Sequence, residues 1–193
     1  PLTDARMPTI DTRWKVPHFD AKGEADALFA KSGVPTTYLL ASFYWENFIF
    51  FGSGPKPGPD GKLVLTLPIG KAKMAGIGAE DIGRCAYGIF KKGPGEAGKH
   101  IGIAGEHLSG DEMATRMSRA MGREVTYNAI PADTYRGFGF PGAVELGNMY
   151  QFYDEYEKVC NDTRDVAASR ALDPALASFD QWLGANAKRI PLE

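Results

Sequence analysis

Hydrophobic and polar positions alternate along this chain between strand spacing and helical spacing. Residues 36–41 (TTYLLA) are β-branched or apolar without alternation, which is typical of a strand buried on both faces of a parallel sheet. Further strands are predicted over residues 63–67, 99–105 and 124–130, with helical segments between them. This alternation predicts an α/β fold.

The helical segments carry clear start signals and apolar faces. Capping boxes at Ser109 and Ser178 predict helix starts, and methionines at helical spacing after Ser109 predict a core face. A helix is expected from Asp20, with Ala25, Leu28, Phe29 and Ser32 at the spacing of one helix face. Residues 74–92 (MAGIGAEDIGRCAYGIFKK) are expected to form a strand that leads into a helix, whose inner face is made of Ile82, Cys85, Ala86, Ile89 and Phe90.

Composition narrows the classes of function. The 193 residues contain 22 Lys and Arg against 24 Asp and Glu, without a basic block, which argues against direct binding to nucleic acid. No apolar stretch approaches the roughly 20 residues of a membrane helix, and the first residues lack the apolar region of a secretory signal. With two distant cysteines, Cys85 and Cys160, we expect a cytoplasmic protein that does not interact with membranes.

Two familiar kinds of site are not indicated. The sequence has no Gly-x-Gly-x-x-Gly motif in the setting that binds a dinucleotide pyrophosphate, which is a tight turn leading directly from a strand into a helix. The three histidines, His18, His100 and His107, do not have the spacing of a metal site, so no metal is expected.

Residues 18–22 place an imidazole and an ammonium four positions apart, on one side of a predicted first helical turn. One interpretation is a half-buried His18 beside a solvated Lys22. The other is that Lys22 donates to ribose hydroxyls while His18 acts as a proton donor, since histidine titrates near neutral pH. The residues alone leave both open.

Residues 44–47 (YWEN) follow the predicted parallel strand directly. In open α/β sheets, ligands bind outside the carboxyl ends of the strands. Tyr44 and Trp45 would provide flat apolar walls there, and Asn47 can both donate and accept hydrogen bonds. The alternative is an aromatic helix that only packs in the core.

The order of these segments resembles the NmrA-like NAD(P)-binding proteins, which are atypical short-chain dehydrogenases, and among them most closely the HSCARG type. The resemblance rests on VPHFDAKGEADALF, GVPTTYLLASFYWENF, LPIGKAKMAGIGAEDIG, GFPGAVELGNMYQFY and FDQWL, and it runs from about Val16 to the C-terminus.

This resemblance implies a doubly wound Rossmann-type parallel sheet with a smaller α+β C-terminal lobe. The chain resembles the later part of that fold, about its C-terminal two thirds, without the glycine-rich first units. We therefore divide it into the remainder of the NAD(P)-binding domain, residues 1–104, and a lobe for a substrate or partner, residues 105–193. Without the pyrophosphate-binding turn, we expect little affinity for NADPH from these 193 residues alone.

The resemblance also implies cofactor contacts. Lys22 matches the lysine of the Tyr-x-x-x-Lys pair of short-chain dehydrogenases and is expected to contact the nicotinamide ribose, whereas His18 stands where the tyrosine would be. Tyr44, Trp45, Glu46 and Asn47 match a segment that lines the nicotinamide side of the cleft.

The function implied is binding of NADP(H) or NAD(H), with NADP preferred, by a redox-sensing regulator without efficient turnover. A protein partner is expected to bind the C-terminal lobe and its GFPG loop. The alternative is an NAD(P)H-dependent reductase of quinone-like or other small carbonyl or azo substrates, in which His18 and Lys22 would be catalytic. The loss of the tyrosine favours the first hypothesis, because that phenol protonates the substrate in active reductases.

Overall fold

A computed structural model describes residues 15–192 of the chain, and helices and strands alternate along them. The strands are Tyr38–Leu40 (β1), Phe43–Tyr44 (β2), Lys56–Pro57 (β3), Leu63–Leu67 (β4), Met74–Ile77 (β5), His100–Gly102 (β6), Glu106–Leu108 (β7) and Val125–Ala129 (β8). The helices are Pro17–Lys31 (α1), Asn47–Phe50 (α2), Ala79–Lys92 (α3), Gly110–Met121 (α4), Ala132–Arg136 (α5), Ala143–Glu155 (α6), Glu157–Asp162 (α7), Val166–Leu172 (α8) and Phe179–Asn186 (α9).

Parallel strand pairs form the centre of the fold. β1 pairs with β6, β2 with β5, and β4 with β8, all in parallel register, whereas β3 and β7 add antiparallel edges to β4 and β5. Helices occur in the connections between the paired strands, as the right-handed crossover of parallel strands requires. The predicted alternation of strands and helices is confirmed.

The two predicted capping boxes are present. The Ser109 hydroxyl accepts from the Glu112 main-chain N–H at the start of α4, and the Ser178 hydroxyl accepts from that of Gln181 at the start of α9. The methionine face of α4 packs in the core, with Met113 and Met117 almost fully buried. Each box satisfies main-chain donors that the first helical turn would otherwise leave unpaired.

One hydrophobic cluster joins the two regions into which we divided the chain. It contains Phe43 and Leu65 from the first region and Met113 and Phe179 from the second. The antiparallel pair β5–β7 also crosses the boundary at residue 105. These contacts show that the two regions pack together, and the division at residue 105 stays a prediction.

Two predicted helix faces are wrong in part. Leu28 and Phe29 of α1 are 71% and 54% exposed, and α1 begins at Pro17 instead of Asp20. The buried position of α1 is Gly23, which lies about 140° around the helix from Leu28 at 3.6 residues per turn. In α3, Phe90 is 82% exposed, while Cys85 and Ile89 are buried as predicted.

Helix α1 is attached to α6 at its N-terminal end. Glu145 accepts hydrogen bonds from the His18 main-chain N–H at 2.7 Å and from His18 Nδ1 at 2.5 Å, and the Asn148 amide donates to the Lys15 carbonyl at 2.8 Å. Burial raises the pKa of the Glu145 carboxyl, but the two His18 donors outweigh it and hold that pKa below its usual value.

Gly102, at the end of β6, is in close contact with the chain that follows α7. A Cβ added at Gly102 would lie 1.8 Å from the Thr163 carbonyl oxygen. Arg164, the next residue, donates from Nε to the Ala41 carbonyl at 3.0 Å. The missing side chain at Gly102 thus allows the loop after α7 to approach the ends of β1 and β6.

Because the obstacle is main chain, we expect Gly102→Ala to lower the free energy of unfolding by about 1–3 kcal/mol, as overpacking does. Gly83→Ala is the matched control: Gly83 is exposed in α3 with no atom within 4 Å of an added Cβ. This change should raise the free energy of unfolding by about 0.5–1 kcal/mol. Urea unfolding measures both, and equal effects would contradict the close approach.

The lowered pKa of Glu145 predicts a pH-dependent contribution to stability. A carboxyl whose pKa is depressed in the folded state stabilises fully above its unfolded pKa of about 4.3, and loses this effect as the pH falls through the folded value. Glu145→Gln should therefore destabilise at pH 7, and its deficit should shrink below about pH 4. The measurement is urea unfolding from pH 7 to 3, with Glu155→Gln, on the exposed side of α6, as control. A deficit that is constant with pH would contradict the lowered pKa of Glu145.

Candidate functional site

A cleft of about 800 Å³ runs along β1 and β2. Its walls come from α1, from residues 36–44 and Asn47, and from α6, and Arg164 adds a guanidinium. The part lined by Ala41, Ser42, Tyr44 and Asn47 lies at the carboxyl ends of these strands, where open α/β sheets bind ligands. The volume and the mixture of aromatic and polar side chains suit a small organic molecule or part of a cofactor.

Lys22 and His18 both line this cleft from α1. They are one helical turn apart, so both side chains project from the same face of the helix. Within residues 15–192 the Lys22 ammonium has no hydrogen-bond or ion-pair partner. It is therefore available to donate to hydroxyl or anionic oxygens of a ligand.

Glu145 fixes the orientation of the His18 ring. Because Nδ1 lies 2.5 Å from the carboxylate, the opposite ring nitrogen, Nε2, is the one left for other partners. The Glu145 carboxylate also accepts from the main-chain N–H of the same residue, so the side chain and backbone of His18 are held together. This arrangement resembles the orientation of a catalytic imidazole by a carboxylate.

Residues 44–47 divide between the cleft and the protein interior. Tyr44 and Asn47 line the cleft, with Tyr44 39% exposed. Trp45 is 1% exposed and packs against Phe179 and Trp182, with ring centroids 5.2 and 6.0 Å away. The chain leaves β2 and turns into α2 within these residues, which sends adjacent side chains in opposite directions.

Glu46 contacts helices α3 and α9 and does not line the cleft. Its Oε2 accepts from the Ala79 main-chain N–H at the start of α3, and its Oε1 accepts from Trp182 Nε1, each at 2.9 Å. The carboxylate therefore stabilises the helix start and holds α9 in place. Trp45 and Glu46 do not line the cleft, so their positions do not support the predicted cofactor contacts, whereas those of Lys22, Tyr44 and Asn47 do.

Helix α6 supplies a wall that the sequence did not reveal as part of a site. Met149, Tyr150 and Tyr153 line the cleft, together with Leu146 and Phe152. Burial raises the pKa of the Tyr150 and Tyr153 phenols, which keeps both protonated at neutral pH. Leu146, Met149, Tyr150 and Tyr153 have helical spacing in the sequence. A helix face that lines a cleft and one that packs in the core have the same spacing, so the sequence does not distinguish them.

Arg164 and Ser42 also line the cleft, and neither was predicted. Both are buried, with 7% and 8% of their surfaces exposed. Arg164 lies in the loop between α7 and α8, where no motif marks it. From the sequence, a charged residue in such a loop is expected to be exposed to solvent. The packing of the loop against β1 shows that Arg164 is buried.

The remaining candidates do not form sites. Within residues 15–192, no group of three or more His, Cys, Asp or Glu is placed to hold a metal ion, and no helix is long and apolar enough to cross a membrane. Cys85 and Cys160 are free thiols, both buried. Burial raises the pKa of each to about 11, so both thiols stay protonated at neutral pH.

The chain is similar to curated proteins of two kinds. It is 29% identical over 124 residues to an NAD(P)H azoreductase of Xenophilus azovorans, covering 62% of this chain and 42% of that protein. It is 31% identical over 125 residues to the nitrogen metabolite repression protein nmrA of Emericella nidulans, covering 60% of this chain and 35% of that protein. The chain thus spans less than half the length of these relatives.

Solved structures share the fold. A structure of NmrA, a negative transcriptional regulator, in complex with NADP matches with a TM-score of 0.72 at 22% identity, covering 91% of this chain and 60% of that one. The triphenylmethane reductase of Citrobacter sp. matches with a TM-score of 0.69 at 13% identity, covering 91% and 61%. The predicted Rossmann-type fold class is confirmed by these neighbours.

The model of the NmrA-like family matches residues 6–183, which is most of the sequence and includes every residue of the cleft. The HSCARG type stays a prediction. With its parallel strands, the cleft at their carboxyl ends and this match, the chain belongs to the NmrA-like family.

Proposed function

We propose that the cleft binds the nicotinamide half of NADP(H), and that the protein is a redox-sensing regulator without efficient turnover. The observation that supports this most is the convergence of Lys22, Tyr44 and Asn47 on one cleft of about 800 Å³. Among the similar proteins, NmrA is a regulator whose structures contain NAD or NADP, and the azoreductase uses NAD(P)H.

The chemistry of the lining fits a nicotinamide riboside. The unpartnered Lys22 ammonium would donate to the ribose hydroxyls, and the Asn47 amide would pair with the carboxamide. The Tyr44 ring would offer an apolar face to the nicotinamide. We expect NADP(H) to be preferred over NAD(H), as the family resemblance implies.

The replacement of tyrosine by histidine supports a sensor. In an active reductase of this class, a phenol beside the lysine gives the substrate its proton. His18 is shorter, and Glu145 holds it through two hydrogen bonds, so its reach into the cleft is restricted. A nucleotide that binds one conformation better then changes the population of that conformation without being consumed.

A reductase is the second candidate, and the His18–Glu145 pair favours it. A bound NAD(P)H supplies a hydride, and a protonated imidazole beside a carboxylate can supply the proton. The ring nitrogen turned away from Glu145 is the one that would donate. Quinone-like, carbonyl or azo compounds are the substrates that such a pair of transfers reduces.

The surface of the C-terminal lobe supports a protein partner. Phe138, Phe140 and Val144, in and beside the GFPG loop, are 51%, 39% and 57% exposed. Adjacent exposed apolar side chains of this kind often mark an interaction surface. We also propose a cytoplasmic location, which the two unpaired thiols support.

Lys22→Met should weaken binding of NADP⁺ and of nicotinamide mononucleotide roughly tenfold, because a charge-assisted hydrogen bond to the ribose is lost. Ligand-observed NMR is suited to the weak affinity expected when no Gly-x-Gly-x-x-Gly turn leads directly from a strand into a helix. The matched control is Lys31→Met, at the other end of α1 and outside the cleft. Equal affinities for the two variants would contradict the assignment of Lys22.

The sensor hypothesis predicts that NADPH absorbance stays constant when the protein is mixed with quinones, aldehydes or azo compounds at NADPH concentrations at which its binding is detected by NMR. Turnover that falls at least tenfold in both His18→Ala and Lys22→Ala would establish the reductase instead. Lys31→Met again serves as control and should leave any turnover unchanged. NADPH oxidation that both cleft variants retain would contradict both hypotheses about this site.

A further inference from the structure

Ser42, Tyr153 and Arg164 line the cleft, and all three also border a second, smaller void. We define the part of the cleft lined by these three residues as its inner end. Arg164 is 93% and Ser42 92% buried, from exposures of 7% and 8%. The inner end is therefore built from polar groups that have been removed from water.

Arg164 is a buried cation without a carboxylate partner among residues 15–192. Its Nε donates to the Ala41 carbonyl at 3.0 Å, and its Nη1 is 3.4 Å from the Cys160 carbonyl and 3.3 Å from the Thr163 hydroxyl. No hydrogen bond from Nη2 is found within the same residues. A guanidinium taken out of water is costly unless an opposite charge or enough acceptors compensate it.

Ser42 adds a second unsatisfied group. Its Oγ is fully buried and has no hydrogen-bond partner in the described part of the chain. The Tyr153 hydroxyl likewise has no partner there, and burial keeps the phenol protonated by raising its pKa. Buried hydroxyls are normally hydrogen-bonded, so an unpaired one beside a cleft indicates a place for a ligand atom or a water.

The surroundings of the inner end are apolar, and its charge is positive. Leu40, Phe43, Met149 and Phe152 line the neighbouring walls. Asp26 is the carboxylate that lines the cleft within the described residues, and it lies 3.8 Å from His100 Nε2. A ligand that fits such walls is largely apolar and flat, with an acceptor group at one end.

We propose that Arg164, Ser42 and Tyr153 bind the carboxylate of a planar, largely apolar organic acid. A carboxylate compensates the guanidinium charge and can accept from it and from both hydroxyls. A neutral carbonyl would leave the cation uncompensated. Binding of the acid does not depend on the proposed function. The statement that the acid and a nicotinamide occupy the same cleft rests on the proposed function.

The test uses 2-naphthoate and its neutral isostere 2-naphthamide, titrated into the 193-residue chain by calorimetry or ligand-observed NMR. We expect the acid to bind at least roughly tenfold more tightly than the amide, as a charge-assisted contact does. Equal affinities would overturn the proposal.

Ser42→Ala distinguishes a ligand site from a structural role. Loss of a neutral hydrogen bond should weaken 2-naphthoate roughly fivefold. The thermal midpoint should not fall, because the variant removes a hydroxyl that has no partner in the free protein. A lower midpoint with unchanged affinity would overturn the proposal, since it would assign the hydroxyl to a buried water shared with Asn161, whose Oδ1 is also unpaired.

Charge variants identify which cation binds the acid. Arg164→Gln should weaken 2-naphthoate at least roughly tenfold, while Arg123→Gln, an exposed arginine after α4, should have no effect. If Arg164→Gln does not fold, Ser42→Ala and the amide comparison still decide. If Lys22→Met weakens the binding of 2-naphthoate as much as Arg164→Gln does, the acid binds beside Lys22. This result would overturn the proposal.

A parallel titration with NADP⁺ separates the two proposals. Discrimination between acid and amide without NADP⁺ binding would leave the acid site standing and remove the dinucleotide. NADP⁺ binding without discrimination between acid and amide would leave the dinucleotide site standing and remove the acid site. Mutual exclusion of 2-naphthoate and NADP⁺ would show one shared site and overturn the separate inner end.

Discussion

The contact between His18 and Glu145 attaches the start of helix α1 to α6, and both helices form walls of the cleft. One carboxylate accepts from both the backbone and the ring of His18, at the point where α1 begins. Most of the remaining length of α1 is exposed, including its large apolar side chains. The end of α1 that carries His18 and Lys22 is therefore the end that is fixed to α6, and this fixes both side chains opposite the ends of the strands.

The opposite wall depends on residues that do not touch the cleft. Trp45 lies against Gly76 and Gly105, where an added Cβ would come within 2.3 and 2.8 Å of its ring, and Glu46 joins the starts of α3 and α9. These contacts hold the turn that presents Tyr44 and Asn47 outward. The four residues thus work as a unit in which two position the other two.

Much of the fold could be predicted from local chemistry. The boundaries of β4 and the two capping boxes follow from short-range preferences that no distant contact opposes. The face of α1 could not be predicted, because its burial depends on Glu145 and on the neighbours of Gly23, far away in sequence. The predicted burial of Phe90 was wrong for the same reason. Helix α3 packs through Cys85 and Gly88, and among the described residues no element covers the face that carries Phe90.

The candidate site shows the same division. Lys22 and residues 44–47 were found because they follow a recognisable strand and match a family segment, but the split between Tyr44 and Trp45 arises from a turn that spacing alone does not reveal. No sequence motif marks Arg164 or Ser42 as a site residue. They stand out because they are buried without enough hydrogen-bond or ion-pair partners. Burial of this kind is a property of the packed chain.

The most direct measurement of the central claim, that α1 and residues 44–47 form one nicotinamide site, is a crystal structure of the chain with NADP⁺ at high concentration. We expect the nicotinamide ribose within hydrogen-bond distance of Lys22 Nζ, and the carboxamide beside the Asn47 side chain. A nicotinamide bound elsewhere, or a Lys22 ammonium turned away from it, would show that these residues do not form the site.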